Sequence, residues 1–319
     1  MASIPLHHTS PNERTGILLG LAGFVLLSCG DAVIKTMAGE WSPVAVAALR
    51  FSIGAIGLAV LLWAREGASG FRPSKPWLQV ARGVCLAGAT LCFFSAIFLM
   101  ALAEAMAIAL TAPILVALLS GPLLGEKVRP PVWLACAVAL GGVALVLRPN
   151  LIELGWPALL PLGSAGFFAL MVIANRASAG QGSPLAMQAY IAGIAAPVLV
   201  AAAAGGSLLS EPLLAIGWPD WTIILRCAIV AVTASTAHWL VYLATMRASA
   251  STIAPLTYVQ IIVATTLGWV TFGETPDLAA LLGAALIVLA GLFLWAMTPR
   301  TNAPARAGRA PDPKSARSN

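Results

Sequence analysis

The sequence predicts an all-α polytopic membrane protein of ten transmembrane helices, arranged as two inverted five-helix repeats. Three observations predict it. Apolar residues make up 60% of the 319 positions and charged ones 9%, with a mean hydropathy of +0.91. Soluble domains run near ~45–50% apolar and ~25% charged, so a chain this apolar cannot cover its surface with polar groups. The apolar residues also fall into runs of about 20, the length that crosses the hydrocarbon layer as a helix. Finally, one pattern occurs twice, in "SGPLLGEKVRPP" (120–131) and "TLGWVTFGETPD" (266–277), each apolar up to a Gly-Glu pair.

Charged, Gly/Pro or polar breaks bound the spans. The first, 16–38, follows Arg14, and its "LLSCG" (26–30) imitates a lipoprotein leader. Leu27 fits that leader poorly and the remaining chain is too hydrophobic to be released, so the segment is read as a retained helix. The second, 44–64, ends at Arg65, and the third, 78–99, opens after Pro76. Only the Ala/Glu stretch around Glu104 separates the third from the fourth, 103–123. The fifth, 131–148, begins on the second of two prolines, the sixth, 157–175, stops at Arg176, and the seventh, 186–206, ends in two glycines. The eighth to tenth cover 222–245, 252–272 and 278–297.

Ten is even, so both termini share a side. Loops on that side hold 13 of the 18 Lys and Arg residues, against Lys35 and Arg148 opposite, with Arg50, Arg82 and Arg226 inside spans. The positive-inside rule then places both termini in the cytoplasm and the chain in a bacterial-type inner membrane as a multi-pass protein. The net charge of +6 is an orientation signal and gives no reason to expect nucleic acid. The Pro/Ala/Arg-rich 299–319 reads as a disordered, basic cytoplasmic tail. Cysteines 29, 85, 92, 136 and 227 all lie in apolar runs without paired spacing, which argues against disulfides, metal and redox chemistry.

Trp77-Leu78-Gln79-Val80-Ala81-Arg82 aligns with Trp221-Thr222-Ile223-Ile224-Leu225-Arg226 at an offset of 144, and the Gly-Glu pairs recur at 148. After each pair come a proline (Pro130, Pro276) and a Gly-rich final span. The chain thus divides into an N-terminal segment 1–15, a first repeat 16–148, a second repeat 149–298 and the tail. Five spans per repeat is odd, so the second half enters the membrane inverted. Inverted repeats are a recurrent architecture of secondary transporters, with the substrate site between the halves near mid-membrane. Gly125 and Gly273 are expected to end their helices in the left-handed conformation, and Glu126 and Glu274 to cap the next helix's positive N-terminus.

The two halves, each closing on apolar residues, Gly-Glu and a proline, resemble the EamA-type repeats of the drug/metabolite transporter superfamily. "GDAVIKTMAGEWSPVAVAALRF" (30–51) and "YVQIIVATTLGWVTFGETPD" (258–277) also resemble that superfamily, and the likeness spans roughly 15–298. It implies a secondary active carrier of a small organic metabolite, such as an amino acid, riboflavin or S-adenosylmethionine, working by alternating access and needing no cofactor. Its motifs specify class well and substrate poorly. The first half keeps the usual proline of its fourth helix, Pro113, where the second has Ile261.

Ionisable groups inside a membrane are costly and so are functional candidates by default. Asp31 and Arg50 sit equally far from the centre of the first hairpin loop, hence at one depth, and Lys35 lies one turn above Asp31. A substrate or coupling site and an interhelical salt bridge both explain that trio. In the eighth span Ser235, His238 and Tyr242 share a face, with Trp239 adjacent. The competing reading is a core histidine bonded to a neighbouring helix's carbonyl. Tyr258, Gln260, Gln188 and Tyr190 are polar lining candidates, whereas Glu104 reads as a solvated turn residue. Gly16/Gly20 and Gly121/Gly125 are spaced for close helix contact. No phosphate loop, H-E-x-x-H pair or G-x-S-x-G elbow is present, so the chain reads as no enzyme; an intramembrane enzyme acting on lipid-linked substrates and a passive channel are the competing classes. Expected partners are a small-molecule substrate and the bilayer, with a coupled proton and a homodimer left open.

Overall fold

A computed structural model describes residues 11–125, 130–178, 181–206, 217–248 and 250–297, and among them every regular element is a helix. Glu126 and the basic tail lie outside the described residues. The helices are α1 (Pro11–Lys35), α2 (Pro43–Glu66), α3 (Pro76–Leu99), α4 (Leu102–Ala109), α5 (Ala112–Leu124) and α6 (Pro130–Glu153). They continue as α7 (Leu160–Ala177), α8 (Pro184–Gly206), α9 (Trp221–Thr245), α10 (Ala250–Ile253), α11 (Val259–Phe272) and α12 (Leu278–Met297). Pro43, Pro76, Pro130 and Pro184 each open a helix, where a missing N–H costs nothing and the fixed φ already suits the turn.

Together they form ten membrane-spanning segments, and two of the ten are not continuous helices. The fourth breaks at Leu110–Thr111, directly ahead of Pro113, into α4 and α5. The ninth breaks at a 3-10 turn, Ala254–Tyr258, that contains Pro255. The second half therefore has a helix-breaking proline after all, six residues before Ile261. Proline removes an N–H and crowds the preceding turn, so each break falls where the sequence puts one.

Lys35, Met100, Leu102, Asn150 and Glu274 meet at one end of the bundle, here called the upper end. Exposed tryptophans mark both ends, Trp156, Trp221 and Trp269 above and Trp63, Trp77 and Trp133 below. Such belts sit at the two membrane interfaces. Packing is unequal between the ends. One continuous core, from Ile34, Met37, Val46, Ile97, Leu102 and Ile108 to Leu199 and Cys227, ties α1, α2, α3, α4, α8 and α9 together above. Below, buried side chains divide into three separate clusters, around Ile114–Cys136–Ala290, Leu62–Ala186–Ala189 and Ala244–Ala248–Ile253. One large core occupies the upper end and the middle of the bundle, and the three smaller clusters lie toward the lower helix ends.

The main helix pairs are α1 with α9, α6 with α12, α2 with α8 and α3 with α7, followed by α3 with α8, α5 with α7, α1 with α11 and α2 with α9, and then α4 with α11. Small residues set their separation. A Cβ on Gly142 would lie 2.7 Å from the Gly283 carbonyl oxygen, and one on Gly283 2.6 Å from that of Gly142. Without a strong hydrophobic drive between helices in lipid, such backbone contact is what holds the pair. Gly283→Ala should therefore lower stability by about 1–3 kcal/mol through overpacking. Gly141→Ala, whose added Cβ meets nothing within 4 Å, serves as the control. Thermal melting of the purified protein in detergent reads the difference; equal melting of the two variants would contradict the close packing.

Candidate functional site

Three charged or titratable side chains lie on helices that pack together, Asp31 on α1, Arg50 on α2 and His238 on α9. Asp31 and Arg50 are half-buried and His238 is exposed. Arg50's charge acts on both Asp31 and His238. Neither Asp31 nor Arg50, however, makes a hydrogen bond or ion pair with a described residue. The Arg50 guanidinium lies over the Phe51 ring at 4.7 Å and the Phe94 ring at 5.5 Å, a cation–π setting that holds its plane.

His238 reaches its own helix rather than a neighbour: Nδ1 lies 2.7 Å from the Ala234 carbonyl oxygen. A carbonyl only accepts, so Nδ1 carries the hydrogen and Nε2 is left for another partner. One turn on, Tyr242 stacks on Trp239 with ring centroids 5.6 Å apart, and Trp239 is 54% exposed. Ser235 is occupied by the Ala231 carbonyl, 2.8 Å away.

Lys35 does not join this group. Its Nζ pairs with Glu274 Oε1, donates to the Met100 carbonyl at 2.6 Å and lies 5.4 Å over the Phe272 ring. The one-turn spacing from Asp31 is as read, but the last turn of α1 points Lys35 to the closed upper end. Glu274 also differs from the expectation that it caps the helix after it. Its Oε2 accepts from the Leu102 N–H at 2.9 Å, capping α4 of the other half, while Asp277 Oδ1 takes the Ala280 N–H and caps α12. The reason is local. Gly273 turns left-handed (φ 68°), its N–H and that of Glu274 return to the α11 carbonyls of Trp269 and Gly268, and the carboxylate is swung back toward α4. Gly125 closes α5 with the same conformation, φ 71°.

The remaining lining candidates are spread out. Gln260 pins the ninth-span break, its amide donating to Thr257 Oγ1 at 2.9 Å while its backbone carbonyl accepts from Ser28. Tyr258 packs its hydroxyl where a Gly291 side chain would be, joining that break to α12. Tyr190 donates to the Gly70 carbonyl near the lower end, and Gln188 is exposed on α8. Glu104 is not freely solvated, because it accepts from Asn150 Nδ2 at 2.6 Å. It lines a cavity of about 470 Å³ at the upper rim, with Lys35, Asn150, Glu153, Glu274 and Asp277. That cavity is open to the exterior and is separated from Asp31 and Arg50 by the upper core.

Sequence reading missed two features. Arg82 donates to Gln79 and Asn175, binding α3 to α7, and Arg226 forks onto Glu40 and reaches the Thr36 carbonyl, binding α9 to the end of α1. The aligned Trp…Arg motifs were the signal, since matching arginines in matching helices point to one anchoring role. The Phe51/Phe94 setting of Arg50 left no comparable trace.

Ten apolar spans, two of them broken, define a multi-pass membrane protein, and the relatives below are named as transporters of small metabolites. The EamA-like transporter family model matches residues 14–148 and again 155–296, and the chain belongs to that family. Relatives include a riboflavin transporter of Rhizobium johnstonii, 28% identical over 72% of this chain and 74% of its own. The pseudopaline exporter CntI of Pseudomonas aeruginosa is 27% identical, covering 88% of this chain and 96% of the relative. An S-adenosylmethionine uptake transporter of Rickettsia bellii is 23% identical over 88% and 92%. A solved crystal structure, 23% identical, superposes with a TM-score of 0.57 over 88% of this chain and 96% of the other, a likeness of fold.

The Lys35–Glu274 pair is largely shielded, with side chains 10% and 19% exposed. Lys35→Met alone or Glu274→Gln alone strands the other partner, which costs about 3–5 kcal/mol for a buried pair. The double variant strands no charge and should recover most of the loss. Melting curves of the three variants check this; a double variant as unstable as the sum of the singles would mean the two residues act independently.

Proposed function

We propose that the protein carries a small organic metabolite across the bacterial inner membrane by alternating access, and that Asp31, Arg50 and His238 contribute to its substrate site. The observation that carries the reading is the match of both halves of the chain to the EamA-like transporter family, whose relatives are named as transporters of riboflavin, pseudopaline and S-adenosylmethionine.

The helix pairing supports an inverted two-repeat architecture, because exchanging the halves sends the α1–α9 pair onto α7–α3 and returns α2–α8, α6–α12 and α4–α11 to themselves. Boundaries at 16–148 and 149–298 fit the two family matches. Broken fourth and ninth spans give each half a flexible element where irregular backbone faces protein and not lipid. Arg65, Arg72, Lys75, Arg176 and Arg247 lie at or beside the lower helix ends, so the positive-inside rule makes the lower side cytoplasmic. Trp239 and Tyr242 form an aromatic wall beside His238.

Purified protein in liposomes should take up its substrate saturably, with uptake lost in Asp31→Asn and in Arg50→Gln. Radiolabelled amino acids, riboflavin and S-adenosylmethionine are the first compounds to measure. Linear, non-saturable flux would indicate a channel, and a chemically altered product an enzyme. A phosphatase fused after Asn319 should be inactive and a cytoplasmic reporter active there; the reverse would overturn the orientation.

A further inference from the structure

We propose that the corner between α2 and α3, at the lower end of the bundle, is a docking site for the phosphate headgroup of an anionic phospholipid. The inference does not depend on what the protein carries. Arg65 lies in the last turn of α2, Arg72 follows the 3-10 turn Gly67–Phe71, and Lys75 directly precedes α3. All three side chains are exposed, and none makes an ion pair or a side-chain hydrogen bond with a described residue. Glu66 is the only acid between positions 60 and 80, and its carboxylate is turned to α8, where it accepts from Ser183. Arginines elsewhere at this end are already engaged, Arg82 with Gln79 and Asn175, and Arg247 with the Leu243 carbonyl.

The corner holds its shape without a ligand. Gly67 turns the chain at φ 64°, and the 3-10 turn folds back on α2 so closely that a Cβ on Gly70 would lie 2.9 Å from Leu62 Cδ1. Two side chains of α8 and its N-cap then pin it, Ser183 donating to Glu66 and Tyr190 to the Gly70 carbonyl. Phe71 thereby returns beside Trp63, with ring centroids 6.3 Å apart, and brings Arg72 back toward the turn of α2 that carries Arg65. The three cations are gathered on backbone that is already ordered, so little further entropy opposes binding.

The neighbouring rings identify the occupant. Trp63, Phe71 and Trp77 are exposed on the same corner, where the second and third spans leave the bilayer. Exposed aromatic rings at a span's end sit at headgroup level. Guanidinium groups beside them fork onto phosphate oxygens, and the lysine adds a point charge. A soluble anion would meet the cations and make no use of the rings. A phospholipid uses both, its phosphate on Arg65, Arg72 and Lys75 and its glycerol and upper acyl carbons on the aromatic faces. A choline headgroup would bring a positive charge against the same cations, so the complementary lipid is an anionic one.

The test titrates the purified full-length protein in non-ionic detergent with phosphatidylglycerol and, separately, with phosphatidylcholine, and reads bound lipid by native mass spectrometry. Phosphatidylglycerol should bind on the order of tenfold to a hundredfold more tightly, since each cation near the surface contributes about fivefold. Replacing the three together, Arg65→Gln, Arg72→Gln and Lys75→Gln, should abolish that preference and leave phosphatidylcholine binding unchanged. Three tail substitutions of equal charge, Arg306→Gln, Arg309→Gln and Lys314→Gln, should leave the preference intact. Equal weakening by the tail variant would reveal a diffuse attraction, and an unaltered preference in the corner variant would put the lipid elsewhere; either overturns the proposal. Displacement of the lipid by inorganic phosphate at the same concentration would indicate a site for soluble anions and overturn it too. Should the corner variant fail to fold, the parent decides. Raising salt from about 0.1 M to about 1 M shortens the Debye length from about 10 Å to about 3 Å, so the preference should collapse, and one that survives unchanged overturns the proposal.

Discussion

The carboxylate of Glu274 is the constraint on which the closed end depends. One oxygen meets Lys35 at the end of α1, and the other accepts from Leu102 at the start of α4. Lys35 in turn holds the Met100 carbonyl, one of the groups that α3 leaves unsatisfied at its C-terminus. Three junctions far apart in the chain are thereby joined through charge-assisted hydrogen bonds, stronger than neutral ones and more so away from water. The geometry needs two glycines: Gly273 to turn left-handed, and Gly268 because a Cβ there would lie 2.8 Å from Glu274 Oε2. With that end tied, the apolar core beneath it packs continuously.

The long helix–helix interfaces are built differently. The α1–α9 and α6–α12 contacts run over Gly16, Gly23, Gly142 and Gly283, where backbones approach closely and few long side chains interlock. Such surfaces hold together through van der Waals contact and tolerate small rigid-body shifts. The α4 and α5 half-helices, and the turn ahead of α11, place irregular backbone inside the bundle where neighbouring groups satisfy it, as Gln260 and Thr257 do. The relatives' named cargoes, riboflavin, pseudopaline and S-adenosylmethionine, differ widely.

Hydropathy, span count and the two punctuation motifs were all legible in the sequence, because each depends on composition over about twenty residues or on a glycine and its immediate neighbours. Gly125 and Gly273 do end helices. Which charges would pair did not follow. Lys35 stands one turn from Asp31 in the sequence, yet bonds to a glutamate 239 positions away. Glu274 stands beside α12 and caps α4 instead. Periodicity fixes a side chain's depth and its face on a helix, both properties of a single segment. The partner of a buried charge depends on which segments meet, and that is decided only when all ten spans pack and each desolvated group takes the nearest one able to satisfy it.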